Sequence, residues 1–159
     1  MDLHGLRIGY DPYSEQLNHP GDRRRFVYYA EKRGLKFEIA DPAENYDIVV
    51  VTERGDLSVW GTYPKGRTKI VYDMVDSYLD VPKSDVKGLL RGAAKYAVRE
   101  WRHLQLDFWN ASQAICRRAE AVICTAGRQR YCSDEAILGQ WDSFFASLFE
   151  STPALPERG

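Results

Sequence analysis

The fold of this chain is indicated by one apolar run, Ile48-Val49-Val50-Val51. A strand with one face in water alternates apolar and polar residues, whereas this run places apolar side chains on both faces. Such a strand belongs inside a parallel sheet, because helices must cover each of its faces. The run therefore predicts an α/β fold.

Four further segments are rich in β-branched and aromatic residues and are separated by helix-like or polar stretches. Together with the central run they give five predicted strands: Leu6–Tyr10, Lys36–Ala40, Asp47–Thr52, Lys69–Asp73 and Ala121–Thr125. Right-handed crossovers between such strands predict an open doubly wound, mostly parallel, Rossmann-like sheet with helices on both faces.

Three helices are predicted between and after these strands. The first follows Pro20-Gly21, with Asp22 as its N-cap, and ends at Gly34. The second runs from near Ser84 toward Arg118, and a break near Asp107 is left open.

A third predicted helix begins after Ser133 and has an apolar stripe that fits one helical face. The stripe consists of Ile137, Leu138, Trp141, Phe144, Phe145 and Leu148. We therefore expect a sheet domain over residues 1–132, an amphipathic helix over 133–150 that packs on it, and a flexible tail over 151–159.

The composition is that of one ordinary globular domain, with 159 residues, 44% hydrophobic residues and 28% charged residues. No apolar run approaches the roughly 18 residues of a membrane span, and the first residues lack the pattern of a secretory signal. We expect a soluble, cytoplasmic protein. The net charge of −1 argues against a globally basic nucleic-acid binder, so no nucleic-acid partner is predicted.

The three cysteines, Cys116, Cys124 and Cys132, are spaced eight residues apart. This spacing fits neither a disulfide framework nor the close pairs of a zinc site, so three reduced thiols are predicted.

Polar side chains follow the predicted strands, at the edge where the carboxyl ends of parallel strands meet and where open α/β sheets bind ligands. The candidates for a cleft at this edge are Asp11, Tyr13, Asn18, His19, Arg23, Glu53, Arg54, Asp73, Asp76, Tyr78 and Arg128. For His19, a plain surface position and a binding or catalytic role are both open.

Two common phosphate-binding motifs are absent from the chain. The first strand is followed by Asp11-Pro12-Tyr13 rather than by a glycine-rich turn, and neither GxGxxG nor GxxxxGK[ST] occurs. No cofactor is therefore predicted. The carboxylates of Asp73 and Asp76 do not have the alternate-residue spacing of haloacid-dehalogenase-like hydrolases, so no metal is predicted either.

Three passages give the chain a family resemblance. They are Asn18–Tyr28 entering the first helix, Lys69–Tyr78 through the fourth strand, and Ala119–Thr125 ahead of Gln129, with Glu120 in an acidic position. Together they resemble the N-terminal half of retaining glycosyltransferases of the GT-B fold, close to family four. The resemblance covers roughly residues 6–132. After Gln129 the family continues into another strand, whereas this chain continues into the helix of Trp141.

The resemblance implies an acceptor-binding N-terminal domain of a retaining nucleotide-sugar-dependent glycosyltransferase, of hexosyltransferase type. Its partner would be a sugar or a lipid-linked acceptor. The donor-binding half of the family has no counterpart in this sequence, so a nucleotide-sugar donor is expected only with that C-terminal domain. This chain alone is expected to be incomplete as a catalyst. The alternative is a stand-alone, non-catalytic Rossmann-like interaction domain; a small hydrolase using Asp73 and Asp76 is expected less.

The predicted second helix has a basic face. Between Lys83 and Gln105 there are six Lys or Arg and two acids, Asp85 and Glu100, a net charge of +4. The residues on this face are Lys87, Arg91, Lys95, Arg99 and Arg102. A solvated helix face explains this pattern, and so does peripheral binding to an anionic membrane, at the inner face for a cytoplasmic protein.

Overall fold

The computed structural model describes residues 3–66, 68–74, 94–98, 102–103, 108–124 and 134–150. Within these ranges the α/β prediction is confirmed, because five parallel strands form one sheet. The strands are β1 (Ile8–Asp11), β2 (Glu38–Ile39), β3 (Ile48–Thr52), β4 (Lys69–Met74) and β5 (Ala121–Cys124).

The strand order across the sheet is β2-β1-β3-β4-β5. The run Ile48-Val49-Val50-Val51 therefore lies in the central strand, where all four side chains are fully buried. Because β1 connects outward to β2 whereas β3 leads to β4 in the other direction, the switch point of the sheet lies between β1 and β3.

Besides the helical residues 94–97, five helices accompany the sheet in the described residues. They are α1 (Pro20–Arg24), α2 (Phe26–Arg33), α3 (Leu57–Trp60), α4 (Phe108–Arg118) and α5 (Asp134–Glu150). None of these helices is long and apolar enough to cross a membrane.

Two apolar clusters pack against the two faces of the sheet, as expected for a doubly wound fold. On the first face, which we call the α2 side, the buried residues include Ile8, Tyr10, Ile48, Val50, Val71, Phe26, Tyr29, Trp141, Phe145 and Leu148. On the second face, which we call the α3 side, they include Val49, Val51, Ile70, Tyr72, Met74, Leu57, Trp60, Phe108, Ala111 and Ile115. Helices α2 and α5 thus cover one face, while α3 and α4 cover the other.

The start of the first helix differs from its prediction. Its N-cap is His19, whose Nδ1 accepts the N–H of Gly21 at 3.0 Å, so the assignment of Asp22 as N-cap was wrong. The buried Asp22 carboxylate instead accepts hydrogen bonds from donors on β1 and on the loop that follows it. The helix is also divided, because Arg25 has the non-helical dihedrals φ −127° and ψ −115°. The predicted end is confirmed, since Gly34 is left-handed with φ 64°.

The predicted second helix is not continuous. Residues 94–97 are helical, but Val98 is in a turn and Arg102 and His103 form a bend before α4 begins at Phe108. The predicted start at Ser84 and the predicted break at Asp107 lie outside the described residues. The short helix α3 was not predicted.

The terminal helix α5 packs on the α2 side. Trp141 stacks on Tyr29 with ring centroids 5.6 Å apart, and Phe145 stacks on the same ring at 5.6 Å. At the far end of α5, Lys69 Nζ donates to the carbonyl of Leu148 at 3.0 Å. These contacts hold α5 against both α2 and β4. The predicted tail over 151–159 lies outside the described residues.

Candidate functional site

The carboxyl ends of β1, β3 and β4 lie side by side at one edge of the sheet. In the parallel register Asp11 pairs with Val51, and Thr52 pairs with Asp73. Thr52 is therefore at the same level as Asp73, and Glu53, the first residue after β3, lies one residue beyond Asp73 and two beyond Asp11. The structure thus brings these three predicted carboxylates to one edge, next to the switch point between β1 and β3.

The sheet nevertheless divides these residues between its two faces. Side chains alternate along a strand, so Thr52 follows Ile48 and Val50 on the α2 side, and Asp73 follows Val71 there. Asp11 lies on the opposite α3 side, where it contacts Trp60. The residues of the predicted cleft therefore form two separate groups, one on each face of the sheet.

Asp22 organises the loop after β1. Its carboxylate accepts from the Tyr10 hydroxyl at 2.8 Å, from the Tyr13 N–H at 2.8 Å and from the Ser14 N–H at 3.1 Å. Asp22 is fully buried, and a buried carboxylate is tolerated when several donors surround it. Its role is to fix the path of the loop that carries Tyr13.

An ion pair connects the helix break to the end of β4. The Arg25 guanidinium donates from Nε to Asp73 Oδ2 at 2.8 Å and from the second nitrogen to Oδ1, so the pair is bidentate. The Asp73 side chain is fully buried, and that of Arg25 is 12% exposed. Burial raises the pKa of Asp73 above its ordinary value, although Arg25 opposes this effect. Removing either partner would leave the other charge uncompensated in a poorly hydrated place.

Tyr13 is held by its neighbours on the α2 side. Its ring stacks on His19, with centroids 5.0 Å apart and an interplanar angle of 14°. At an edge of the ring, a Cβ added to Gly21 would lie 2.7 Å from Cδ2, so only glycine leaves room there. Because Nδ1 of His19 accepts the Gly21 N–H, the neutral imidazole carries its proton on Nε2. The half-buried His19 therefore offers an N–H donor at the edge.

Two buried hydroxyls on this side make no hydrogen bond with any part of the chain that the structure describes. They are the phenol of Tyr13, a residue that is 7% exposed, and the hydroxyl of Thr52, which is fully buried. Burial raises the pKa of Tyr13 above its ordinary value, and the charges of Asp73 and Glu53 add to this. The phenol therefore stays protonated and remains a donor throughout the neutral range.

Asp11 forms the other part of the edge, on the α3 side. Its Oδ2 accepts the Asp56 N–H at 2.7 Å and the Trp60 Nε1–H at 2.8 Å. Burial raises the pKa of Asp11 to about 6, although these two hydrogen bonds and the charge of Lys95 act in the opposite direction. A carboxyl group with this pKa changes its charge near neutral pH, which a surface aspartate does not.

The other described cleft candidates are exposed side chains. Asn18 is exposed, with its N–H 3.1 Å from the Ser14 hydroxyl, and Arg23 and Arg54 are exposed. Asp76, Tyr78 and Arg128 lie outside the described residues.

Sequence reasoning missed Asp22, Arg25 and Thr52 as members of this site. One available signal was Thr52 itself, a hydroxyl that ends an otherwise apolar buried strand. Arg25 could not be distinguished from its neighbours Arg23 and Arg24, because its partner Asp73 is 48 positions away.

Glu120, the acidic residue of the third resembling passage, lies at the opposite edge of the sheet. It accepts the Ile70 N–H at 2.6 Å and pairs with Arg118, at 2.9 Å from Nη1. Arg118 is buried and also donates to the carbonyls of Tyr63, Pro64 and Thr68. These contacts join β4 and β5 at their amino ends, so Glu120 is placed for structure rather than for a ligand at the carboxyl edge.

Two of the five predicted membrane-surface residues are described, and both face acidic groups of the chain. Lys95 lies near Asp11, and its Nζ is 6.0 Å from the ring centroid of Phe108. Arg102 is in a bend rather than on a helix face, and it pairs with Asp41 at 3.5 Å. The proposed single basic face is therefore wrong for Arg102. Lys87, Arg91 and Arg99 lie outside the described residues.

No group of three or more metal-ligating side chains occurs in the part of the chain that the structure describes. Cys116 forms no disulfide with any described residue, whereas Cys132 and the side chain of Cys124 are not described. Comparisons with protein-family models, curated proteins and solved structures found no match to the chain. The resemblance to glycosyltransferases rests on the sequence passages alone.

Proposed function

We propose that this chain is the acceptor-binding N-terminal domain of a retaining, nucleotide-sugar-dependent glycosyltransferase. We place the acceptor at the carboxyl edge of the sheet, on the α2 side. The observation that carries the proposal is the group of hydrogen-bonding side chains at this edge, which comes from β3, β4 and the loop after β1. The three passages that resemble the glycosyltransferases support the same assignment.

The charges at this edge favour a neutral ligand that is rich in hydroxyl groups. Among the described residues that are not exposed at this edge, Asp22, Glu53 and Asp73 supply three carboxylates, and Arg25 supplies a guanidinium that is paired with Asp73. An excess of negative charge repels phosphate groups, whereas a sugar hydroxyl can donate to a carboxylate and accept from a tyrosine or an imidazole N–H. The site therefore suits the acceptor rather than the diphosphate of a sugar nucleotide.

Catalysis by residues 1–159 alone is not expected. In the resembling family the basic residue and the glutamate that hold the donor belong to the C-terminal half, and no position of this sequence matches them. Without groups that stabilise the leaving diphosphate, the transition state for transfer lacks its main electrostatic support. Incubation of the chain with uridine- or guanosine-diphosphate sugars and an acceptor should give no transfer product.

The acceptor assignment can be tested by NMR titration of the ¹⁵N-labelled chain. Methyl glycosides of glucose, galactose and mannose are compared with uridine diphosphate and guanosine diphosphate. We expect at least one glycoside to shift the amides of Tyr13, Gly21 and Glu53, and neither nucleotide to do so. The variant Glu53→Gln should weaken this binding, whereas Glu44→Gln, an exposed glutamate near the opposite edge, should not.

Two results would contradict the assignment. Binding of a nucleoside diphosphate at this edge would identify a donor-type site. Absence of binding by every glycoside would favour the stand-alone interaction domain.

We keep peripheral membrane binding as a second, separate proposal. The residues proposed to contact the membrane are now Lys87, Arg91 and Arg99. Cosedimentation with anionic liposomes at low salt should weaken when these three residues are changed to Gln together. The control is Arg102→Gln, because Arg102 already pairs with Asp41. Equal binding to neutral and anionic vesicles would end this proposal.

A further inference from the structure

The buried hydroxyls of Tyr13 and Thr52 on the α2 side lower the stability of the folded protein. A buried hydroxyl loses its hydrogen bonds to water, and this loss is normally offset by a partner inside the protein. Neither hydroxyl has such a partner in the described residues. Two comparable hydroxyls do have partners: the Tyr29 hydroxyl donates to Asp142 at 3.0 Å, and the Thr68 hydroxyl donates to the Tyr46 carbonyl at 2.8 Å.

The two hydroxyls come from separate elements at one edge. Thr52 is the last residue of β3 and lies beside Asp73 in the sheet. Tyr13 belongs to the loop after β1, and its phenol is close enough to Asp73, Glu53 and Arg25 to be affected by their charges. Both groups therefore lie in the surroundings to which the acceptor has been assigned.

The Tyr13 ring is held before any ligand arrives. His19 stacks on one face and Gly21 lies against its edge, with no room for a larger residue. The backbone N–H of Tyr13 is fixed by Asp22. Groups that are positioned in advance lose less conformational entropy when they bind a ligand. A tyrosine that recognises a ligand benefits from being positioned in this way. A tyrosine that only fills the core does not need it.

We propose that the Tyr13 and Thr52 hydroxyls bind one uncharged hydroxyl group of a sugar ligand, and thereby determine which acceptor is recognised. The inference rests on the proposed acceptor function. A ligand hydroxyl can accept from Tyr13 and donate to Thr52, so that both buried groups become satisfied at once. A ligand that lacks this hydroxyl leaves them unsatisfied and is rejected for that reason. Neighbouring Asp73 and Glu53 exclude an anionic group from the same position.

Removing either hydroxyl should weaken ligand binding without lowering the stability of the protein. Tyr13→Phe and Thr52→Val remove each hydroxyl with little change in shape. We expect each variant to bind the methyl glycoside found above roughly five- to tenfold more weakly, which corresponds to the loss of one hydrogen bond. Its urea unfolding midpoint should stay the same or rise, because an unsatisfied buried group has been removed.

Matched controls are available for both substitutions. Tyr29→Phe and Thr68→Val remove hydroxyls that already have partners, so these variants should unfold at lower urea concentration and bind the glycoside as the unchanged protein does. A third variant, Gly21→Ala, pushes on the Tyr13 ring and should weaken glycoside binding while both hydroxyls are present.

Each remaining outcome has a definite meaning. If Tyr13→Phe and Thr52→Val bind the glycoside as tightly as the unchanged chain, the inference is wrong while the acceptor function stands. If both variants lose stability as the controls do, the hydroxyls hold a structural water and the inference is wrong. If the unchanged chain binds no glycoside, the acceptor function fails first and the inference falls with it.

Discussion

Replacing Asp11 with Asn provides the sharpest test of the electrostatics at the carboxyl edge. The Asn side chain keeps the shape of Asp, and its amide oxygen can accept from both the Asp56 N–H and the Trp60 Nε1–H. What changes is the charge. Burial raises the pKa of Asp11 from its ordinary value of 3.8 to about 6, so the folded protein holds this proton more tightly than the unfolded chain does.

The sign of the effect follows from this difference. The favourable contribution of protonated Asp11 is fully present below pH 3.8 and is lost as the pH rises to about 6. At about 1.4 kcal/mol per pKa unit, the ionised carboxylate costs the folded state about 3 kcal/mol at neutral pH. The neutral Asn avoids this cost. Asp11→Asn should therefore be more stable than the unchanged protein by about 1 kcal/mol at pH ~4.5 and by about 3 kcal/mol at pH ~7.5.

Urea unfolding followed by circular dichroism at these two pH values measures the difference directly. The exposed Glu31 on α2 supplies a control, because Glu31→Gln removes a carboxylate that water surrounds. An Asp11→Asn protein that is less stable than the unchanged protein at neutral pH, or whose advantage does not grow between the two pH values, would refute the reasoning.

Two further predictions concern stability and can be measured by the same unfolding assay. Arg25→Met should cost about 3–5 kcal/mol, because Asp73 is left buried without its partner; the double variant with Asp73→Leu should recover much of this loss. If Arg25→Met destabilised no more than Arg33→Met, which breaks an exposed pair, the argument for a buried pair would fail. Gly34→Ala should cost about 1 kcal/mol because φ is 64° there, whereas Gly139→Ala within α5 should raise stability by about 0.5–1 kcal/mol. Equal effects at the two glycines would contradict the assigned backbone conformations.

The strands could be predicted from the sequence because their signal is local. A run such as Ile48–Val51 is compatible with few other environments, and β3 forms within one residue of its predicted start. The edge strand β2 was predicted as Lys36–Ala40 but spans only Glu38–Ile39, and both residues are exposed. Because neither side chain is buried, packing adds little to the pairing of β2 with β1.

The site was only partly predictable, because its side chains depend on distant partners. Asp22 has the residue type and position of an N-cap, yet Tyr10 and the loop amides use its carboxylate, and His19 becomes the cap. Topology brought Asp11, Glu53 and Asp73 to one edge as expected. Side chains alternate along each strand, however, and this alternation placed Asp11 on the other face of the sheet. A list of the residues that follow each strand does not show which face they are on.

The attachment of α5 has a consequence for how a newly made chain folds. Trp141, Phe145 and Leu148 pack against the side of the sheet that β1 and β3 contribute, and these strands are synthesised in the first third of the chain. While the ribosome is still adding the later residues, helix α2 can fold over these strands but α5 cannot yet cover them. The nascent chain therefore presents apolar strand surface to chaperones and to other nascent chains until α5 has emerged.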